Sequence, residues 1–331
     1  MQKLTIYDIS KLAGVSITTV SRVLNGNDKV NPKTKEQVEA VIREHGYTPR
    51  QAARNFVQRD LFAVGLMVDD IRHTYMSELA YAVNQELEKW KLNTILCNLT
   101  DVEGGFIHQV DNLIEKRVNG VVLLGSVFER SICKIAIERR YSEVPFVTVN
   151  ANFALPNVRE VMQDQYQGLK DAVKYLYQKG KTRIGWIYCH QSPSDQRKNA
   201  GFLAGMKAHN LKPVYLKETI GKTLEEGKQA TAALIDGFPG VEAIIYSSDM
   251  LAVGGVHLLN ERKITIPDQI QIIGFNNSNY ARECYPPLTT IDNHISESGR
   301  VAAQLMINML NKQPAESIRL ACGLAIREST R

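Results

Sequence analysis

Two sets of side chains in this 331-residue sequence have the types and spacing for chemistry. The first is Ser16, Ile17, Thr18, Thr19, Ser21 and Arg22, a cluster of hydroxyls closed by a guanidinium. Hydroxyls reach phosphates or base edges, and an arginine can grip a guanine through two bonds, worth roughly 1 to 3 kcal/mol of discrimination against a wrong base. The second set is Asp69, Tyr75, Met76, Ser126, Asn150, Asp164, Arg197 or its neighbour Lys198, Lys222, Asp249 and Asn276, most of them just past a segment that reads as a strand. Dispersed polar groups of this kind suit a polar small molecule held by many hydrogen bonds. Nothing indicates bond-making chemistry. GxSxG and HExxH are absent, the seven histidines stand singly, and Gly221-Lys222-Thr223 lacks the upstream glycine of a phosphate loop because Leu216 stands there. The expectation is a protein that is not an enzyme, with no cofactor and no metal.

The first set needs a scaffold of short helices, and the local pattern supplies one. Thr5 and Asp8 form a loose capping box, and Ile6, Ile9, Leu12 and Ala13 recur at helical spacing, predicting a helix from about 6 to 13. Gly14 supplies the turn and Ser16 caps a second helix whose inward face is Val20, Val23 and Leu24, closed by Asn25-Gly26. Ile17, Thr18, Thr19, Ser21 and Arg22 are thereby left facing outward. Asn31-Pro32 opens a third helix with Val38, Val41 and Ile42 inward, ending near His45-Gly46. Helix, tight turn, helix is the geometry that sends a second helix into a major groove. A three-helix cap or dimerisation bundle fits the same pattern. Charge favours the groove: of a net +5, residues 1–60 carry ten basic against six acidic side chains.

The second set needs strand ends. From Leu61 the pattern alternates, with strands at 61–68, 94–98, 120–124, 146–149, 183–188, 243–246 and 271–275. Helical segments at 76–90, 105–116, 166–179, 196–208, 223–238 and 250–261 separate them. Such a chain folds as two parallel, doubly wound halves and binds ligand beyond the carboxyl ends of their strands, in the cleft between them. Composition is that of a globular protein, 44% apolar and 23% charged. The start lacks the apolar core of an export signal and no run is long enough to span a membrane, so a cytoplasmic location is expected. Five cysteines with no CxxC pair argue for reduced thiols. A solute-binding protein using the two-lobed core without DNA recognition is the alternative, against which the basic amino-terminal unit counts.

Thr5-Ile6-Tyr7-Asp8-Ile9, Ala13-Gly14-Val15-Ser16 and Thr19-Val20-Ser21-Arg22-Val23-Leu24-Asn25-Gly26 resemble the signature of the lactose repressor (LacI/GalR) family of bacterial transcriptional regulators. The likeness continues through Gly46-Tyr47-Thr48-Pro49 and Ala52-Ala53-Arg54, and returns in Pro286-Pro287-Leu288-Thr289-Thr290-Ile291 and Arg327-Glu328-Ser329-Thr330. The resemblance implies a small all-α helix-turn-helix headpiece followed by an α/β two-lobed, periplasmic-binding-protein-like core with parallel doubly wound sheets. The headpiece is expected over 1–60, with a hinge helix near 50–58, and the core over 61–331. Chain crossings near 162, 291 and 322 would divide the core into one lobe of 61–161 plus 292–322 and another of 162–291 plus 323–331.

On the same resemblance Phe56 occupies the place of a leucine that wedges into the minor groove, and Thr5, Asn25 and Ala53 complete the expected DNA-contacting set. An arginine near 197 holds ligand in similar repressors. Asn276 and Lys222 depart from the pattern, standing where a carboxylate and a stacking aromatic are common. The implied function is repression of carbohydrate-metabolism genes by a homodimer on pseudopalindromic operator DNA. Its effector would be a sugar or sugar derivative, which an added cation would suit if phosphorylated. Similar tetrameric members carry a leucine-rich tail, so a chain ending at Arg331 is expected to dimerise.

Overall fold

The computed structural model describes residues 6–24, 30–45, 63–189, 192–213 and 216–331. The chain divides into two compact units, Met1–Leu61 and Phe62–Arg331. In the first, α1 (Ile6–Leu12), α2 (Ile17–Leu24) and α3 (Pro32–Glu44) follow the spacing of the sequence. Ser16 caps α2, its Oγ accepting the Thr19 amide at 3.1 Å, which satisfies one of the donors a helix start leaves over. Asn31 caps α3 by accepting the Lys33 amide at 3.0 Å, with Pro32 where a missing N–H costs nothing. Gly14, at φ +61°, makes the turn between α1 and α2. Ile9, Ala13, Val20, Val23 and Val38 form the buried core, and Val15, Val30, Val41 and Ile42 pack against it. Leu12 departs from the expected inward face and is 51% exposed. The core stripe runs through Ile9 and Ala13, one helical turn apart, and Leu12 falls beside it.

The second unit holds two six-stranded sheets. The first contains β1 (Ala63–Val68), β2 (Asn93–Asn98), β3 (Gly120–Leu124), β4 (Phe146–Val149), β5 (Val158–Asp164) and β11 (Ile318–Ala321) in the order β11-β5-β4-β3-β1-β2. All of its neighbours are parallel. The second contains β6 (Ile184–Cys189), β7 (Leu216–Thr219), β8 (Ala243–Tyr246), β9 (Gln271–Phe275), β10 (Thr289–Asp292) and β12 (Gly323–Ala325) in the order β12-β10-β9-β8-β6-β7. Strands β1, β3, β4, β8 and β9 are buried along their whole length, as covered parallel sheets require. One strand breaks the expected all-parallel pattern: β12 runs antiparallel to β10. Only Cys322 separates it from β11, so the chain passes directly from the edge of the first sheet to the edge of the second.

Helices α4 (Thr74–Lys89), α5 (Val102–Glu115) and α6 (Ser131–Arg139) belong to the first lobe. Helices α7 (Gln165–Gln178), α8 (Pro193–Ala208), α9 (Leu224–Gly237), α10 (Asp249–Glu261) and α11 (Asn279–Glu283) belong to the second. Past Asp292 the chain returns to the first lobe, where α12 (Ile295–Leu310) buries Val301, Ala302, Leu305 and Met306 with Leu79, Val83 and Leu87 of α4. The first passage between lobes falls just past Asp164, since Met162, Gln163 and Asp164 still pair with Arg319, Leu320 and Ala321. Each sheet is covered by apolar layers on both faces. Full burial of one such aliphatic side chain stabilises by about 1.5 to 3 kcal/mol.

Candidate functional site in the headpiece and the cleft

On the headpiece, Ser16, Ile17, Thr18 and Arg22 are exposed and Thr19 and Ser21 half-buried. Their arrangement follows from the helix period, since Val20 and Val23 point into the core. Ser16 and Thr19 are partly committed to the fold itself, their hydroxyls 2.9 Å apart at the start of α2. Ile17, Thr18 and Arg22 therefore present the open side of the helix. Thr5, Asn25, Ala53, Phe56 and the expected hinge at 50–58 lie outside the described residues.

In the core unit a cavity of about 380 Å³ opens between the lobes, walled by the carboxyl ends of both sheets. The first lobe contributes Asp69 after β1, His73, Tyr75 and Met76 at the start of α4, Ser126 after β3 and Asn150 after β4. Gly125 stands at φ +109°, and a Cβ there would meet Met76 Cε at 2.6 Å, so the wall is closed at a place only glycine fits. Asn150 Nδ2 donates to the Tyr75 hydroxyl at 3.0 Å and to Gln163 Oε1 at 2.6 Å. Gln163 Nε2 in turn donates to Ser298 Oγ on α12 at 2.7 Å. This buried network sets the Tyr75 ring against the cavity, and burial pushes its phenol up so that it stays neutral.

The second lobe contributes Ser192, Ser194, Asp195 and Lys198 at the start of α8, Lys222 after β7, Ser247, Ser248 and Asp249 after β8, Asn276 after β9 and Asn293 after β10. Three charged groups meet here. Lys222 Nζ lies 2.8 Å from Asp195 Oδ1 and 3.0 Å from Oδ2. The hydrogen bond is directed at Oδ2, which Ser192 Oγ also meets at 2.7 Å, leaving Oδ1 with charge contact but no hydrogen-bond donor. Burial works to raise the Asp195 carboxyl, but the Lys222 and Lys198 charges and the bonds from Lys222 and Ser192 outweigh it and hold the group below its usual range. Lys198 Nζ donates to the Ser247 carbonyl at 3.0 Å and sits 4.1 Å from the centre of the Phe275 ring. Burial and the Lys222 charge bring its ammonium down to about 8, against the opposing pull of Asp195. Asp249 is also buried; it accepts from Thr290 Oγ1 at 2.6 Å and from Ser278 N and Oγ, both at 2.8 Å, yet burial still pushes its carboxyl up to about 6.

Of the ten residues expected to face a ligand, Asp69, Tyr75, Met76, Ser126, Asn150, Lys222, Asp249 and Asn276 wall the cavity. Asp164 and Arg197 do not. Asp164 caps α7, accepting the Gln167 amide at 3.1 Å. Arg197 projects instead to the first lobe, Nη1 donating to Glu129 Oε2 at 3.0 Å and Nη2 to the Asn150 carbonyl at 2.7 Å. Lys198, its alternative in the sequence, is the residue that faces the cavity. Asp195, Ser192, Ser194 and Asn293 were missed. Asp195 and Ser192 follow the end of β6 and obey the rule that found the others, whereas Asn293 follows a strand whose pattern was not read as one. Asn276 and Asn277 take φ of 117° and 54°, a backbone region asparagine tolerates better than most residues. Asn276 Oδ1 accepts from Asn293 Nδ2 at 2.9 Å. Among the described residues no His, Cys, Asp or Glu cluster could hold a metal ion, and no helix is long and apolar enough to cross a membrane.

Comparison with known proteins follows the same division of the chain. Residues 5–50 match the family of bacterial regulatory proteins, lacI family, and residues 173–330 match a periplasmic binding protein-like domain. An HTH-type transcriptional regulator of Lachnoclostridium phytofermentans is 32% identical over 93% of both chains. Catabolite control protein A of Priestia megaterium is 29% identical over 99% of both. Among solved structures, a lac repressor dimer bound to operator and the anti-inducer ONPF superposes with a TM-score of 0.87 at 21% identity, covering 99% of each chain. A transcriptional regulator CelR–cellobiose complex gives 0.71 at 25% identity, covering 98% of this chain and 99% of that one. With a helix-turn-helix headpiece, a two-lobed core and full-length relatives of this kind, the chain belongs to the lacI family of bacterial regulatory proteins and is a transcriptional regulator.

Proposed function

We propose that the protein is a cytoplasmic, homodimeric repressor of carbohydrate-metabolism genes, whose affinity for a pseudopalindromic operator is changed by a neutral, polyhydroxylated effector in the interlobe cleft. Recognition is assigned to the open face of α2, with Ile17, Thr18, Thr19, Ser21 and Arg22 toward the major groove and Ser16 holding the helix start. Thr5, Asn25, Ala53 and the hinge with Phe56 complete the DNA-contacting set on family likeness. A symmetric dimer would place two such helices on two half-sites.

The observation that carries the effector class is the state of the buried acceptors. Asn293 Oδ1 belongs to a residue that walls the cavity, is 1% exposed, and has no hydrogen-bond donor, while Asp195 Oδ1, equally buried, is met only by the Lys222 ammonium at 2.8 Å. Buried acceptors are costly unless a donor reaches them, and a ligand hydroxyl is such a donor. The cations of the wall already have oxygen partners: Arg130 is paired with Glu103, Lys222 with Asp195, and Lys198 with the Ser247 carbonyl. That leaves the neutral sugar better served than a phosphorylated one, because an added anion would compete with Asp195 for Lys222. The cellobiose complex of CelR supports a carbohydrate in this fold.

Selection of binders from a random duplex library by the full-length protein tests the regulatory reading. A short pseudopalindrome should emerge. With Arg22→Ala the same selection should lose preference at one base pair per half-site, by roughly 1 to 3 kcal/mol. Equal loss on every duplex would remove Arg22 from base reading. Titrating the recovered operator complex with cellobiose, glucose and glucose 6-phosphate then separates neutral from anionic effectors.

A further inference from the structure

Arg197 stands at the edge of the cleft with its guanidinium already spent. It rises from the first turns of α8 in the second lobe, and both Nη groups end on the first: Glu129 Oε2 at 3.0 Å and the Asn150 carbonyl at 2.7 Å. Its Nε is buried without a partner, so no third acceptor draws it elsewhere. Both acceptors are themselves held. Glu129 Oε2 also accepts the Asn152 amide at 3.2 Å, and the Asn150 side chain is fixed by Tyr75 and Gln163. One turn earlier, the Ser194 amide donates to Ser126 Oγ of the first lobe at 3.1 Å. Three bonds therefore join one helix start to two loops of the opposite lobe, the one after β3 that holds Ser126 and Glu129 and the one after β4 that holds Asn150. The ion pair among them is only about a quarter exposed on either side, 27% and 26%, so water screens it less than a surface pair.

We propose that Arg197 is an interlobe strap, a positioning residue that holds the cleft closed by gripping Glu129 and the Asn150 carbonyl rather than by touching the effector. A planar guanidinium suits the task because its fork meets two acceptors at once, which a lysine cannot do. The strap ends on Asn150, whose side chain lies in the cleft wall beside Tyr75. A ligand that shifts that wall changes the seat of the strap, and the lobe angle with it. This deepens the cleft reading above, but its test needs no effector, so failure of the strap leaves that reading standing.

Native cysteines report on closure. Cys189 walls the cleft at 1% exposure, and Cys133 is fully buried in the apolar core of the first lobe. Full-length protein is treated with iodoacetamide under native conditions and alkylation at each cysteine is followed by peptide mass spectrometry. Arg197→Met should speed alkylation of Cys189 about five-fold or more while Cys133 keeps its rate, since only the lobe opening is changed. Glu129→Gln should give a smaller acceleration, and Arg197→Lys should recover part of the protection. A Cys189 rate within two-fold of wild type in Arg197→Met overturns the strap, as does an acceleration at Cys133 equal to that at Cys189 in both Arg197→Met and Glu129→Gln.

Discussion

Replacing Lys222 by methionine isolates the charge cluster of the second lobe. The substitution keeps most of the side-chain volume and removes the ammonium that lies 2.8 Å and 3.0 Å from the two Asp195 oxygens. Taking one partner from a fully buried pair costs about 3 to 5 kcal/mol, because the other charge is left uncompensated. Here the Lys222 side chain is 33% exposed, so water replaces part of the lost interaction. Lys198 and the Ser192 hydroxyl also remain beside the carboxylate. The loss at pH 7 should therefore be about 1 to 2 kcal/mol.

Its pH dependence has a definite sign. The Asp195 carboxyl is held below its ordinary value, so it adds stability that is present above the usual carboxylate range and lost as pH falls through the folded value. Without Lys222, burial prevails over the weakened attraction and the folded value rises. The gap between wild type and Lys222→Met should thus be widest near neutrality and close below about pH 4. Urea unfolding followed by Trp186 fluorescence measures it, because Trp186 is fully buried in the second lobe while Trp90 is 54% exposed. The double variant Lys222→Met with Asp195→Asn should recover most of the loss. A gap below about 0.3 kcal/mol, or one of equal size at pH 4 and pH 7, would refute the reasoning.

Two further outcomes follow from packing and burial elsewhere in the second lobe. A Cβ at Gly254 would run into the Leu224 carbonyl and lie 2.8 Å from the Lys228 amide, so Gly254→Ala must push α10 off α9 and should destabilise by about 1 to 3 kcal/mol in the same unfolding assay. Unchanged stability would show that the two helices can separate freely. The Asp249 carboxyl, raised to about 6 by burial, contributes stability that is full below the usual carboxylate range and lost as pH rises through 6. The stability of wild type relative to Asp249→Asn should therefore fall by about 2 to 3 kcal/mol between pH 4 and pH 7, and a rise over that interval would contradict it.

Much of this protein is written in local pattern. The three headpiece helices depend on caps and spacing within a few residues: Ser16, Asn31, Pro32 and the Val20, Val23, Val38 face are legible because a helix start and an apolar stripe are short-range facts. The buried strands β1, β3, β4, β8 and β9 are legible as apolar runs for the same reason, and the rule that ligands gather beyond strand ends picks out Tyr75, Asn150 and Asp249 from the sequence alone.

Tertiary structure decided what those residues do. Strand β5 alternates too weakly to be read alone, and β11 and β12 are strands only because distant edges receive them, which also makes β12 antiparallel. Nothing near Arg197 in sequence marks it as reaching Glu129 and Asn150, residues 68 and 47 positions away, while its neighbour Lys198 turns to the cavity. Lys222 looked like a free cation for an anionic ligand until the fold set Asp195, 27 residues earlier, against it. Charge partners are chosen by the packing of one helix start against a remote loop, and a side chain's duty follows from the partner it finds.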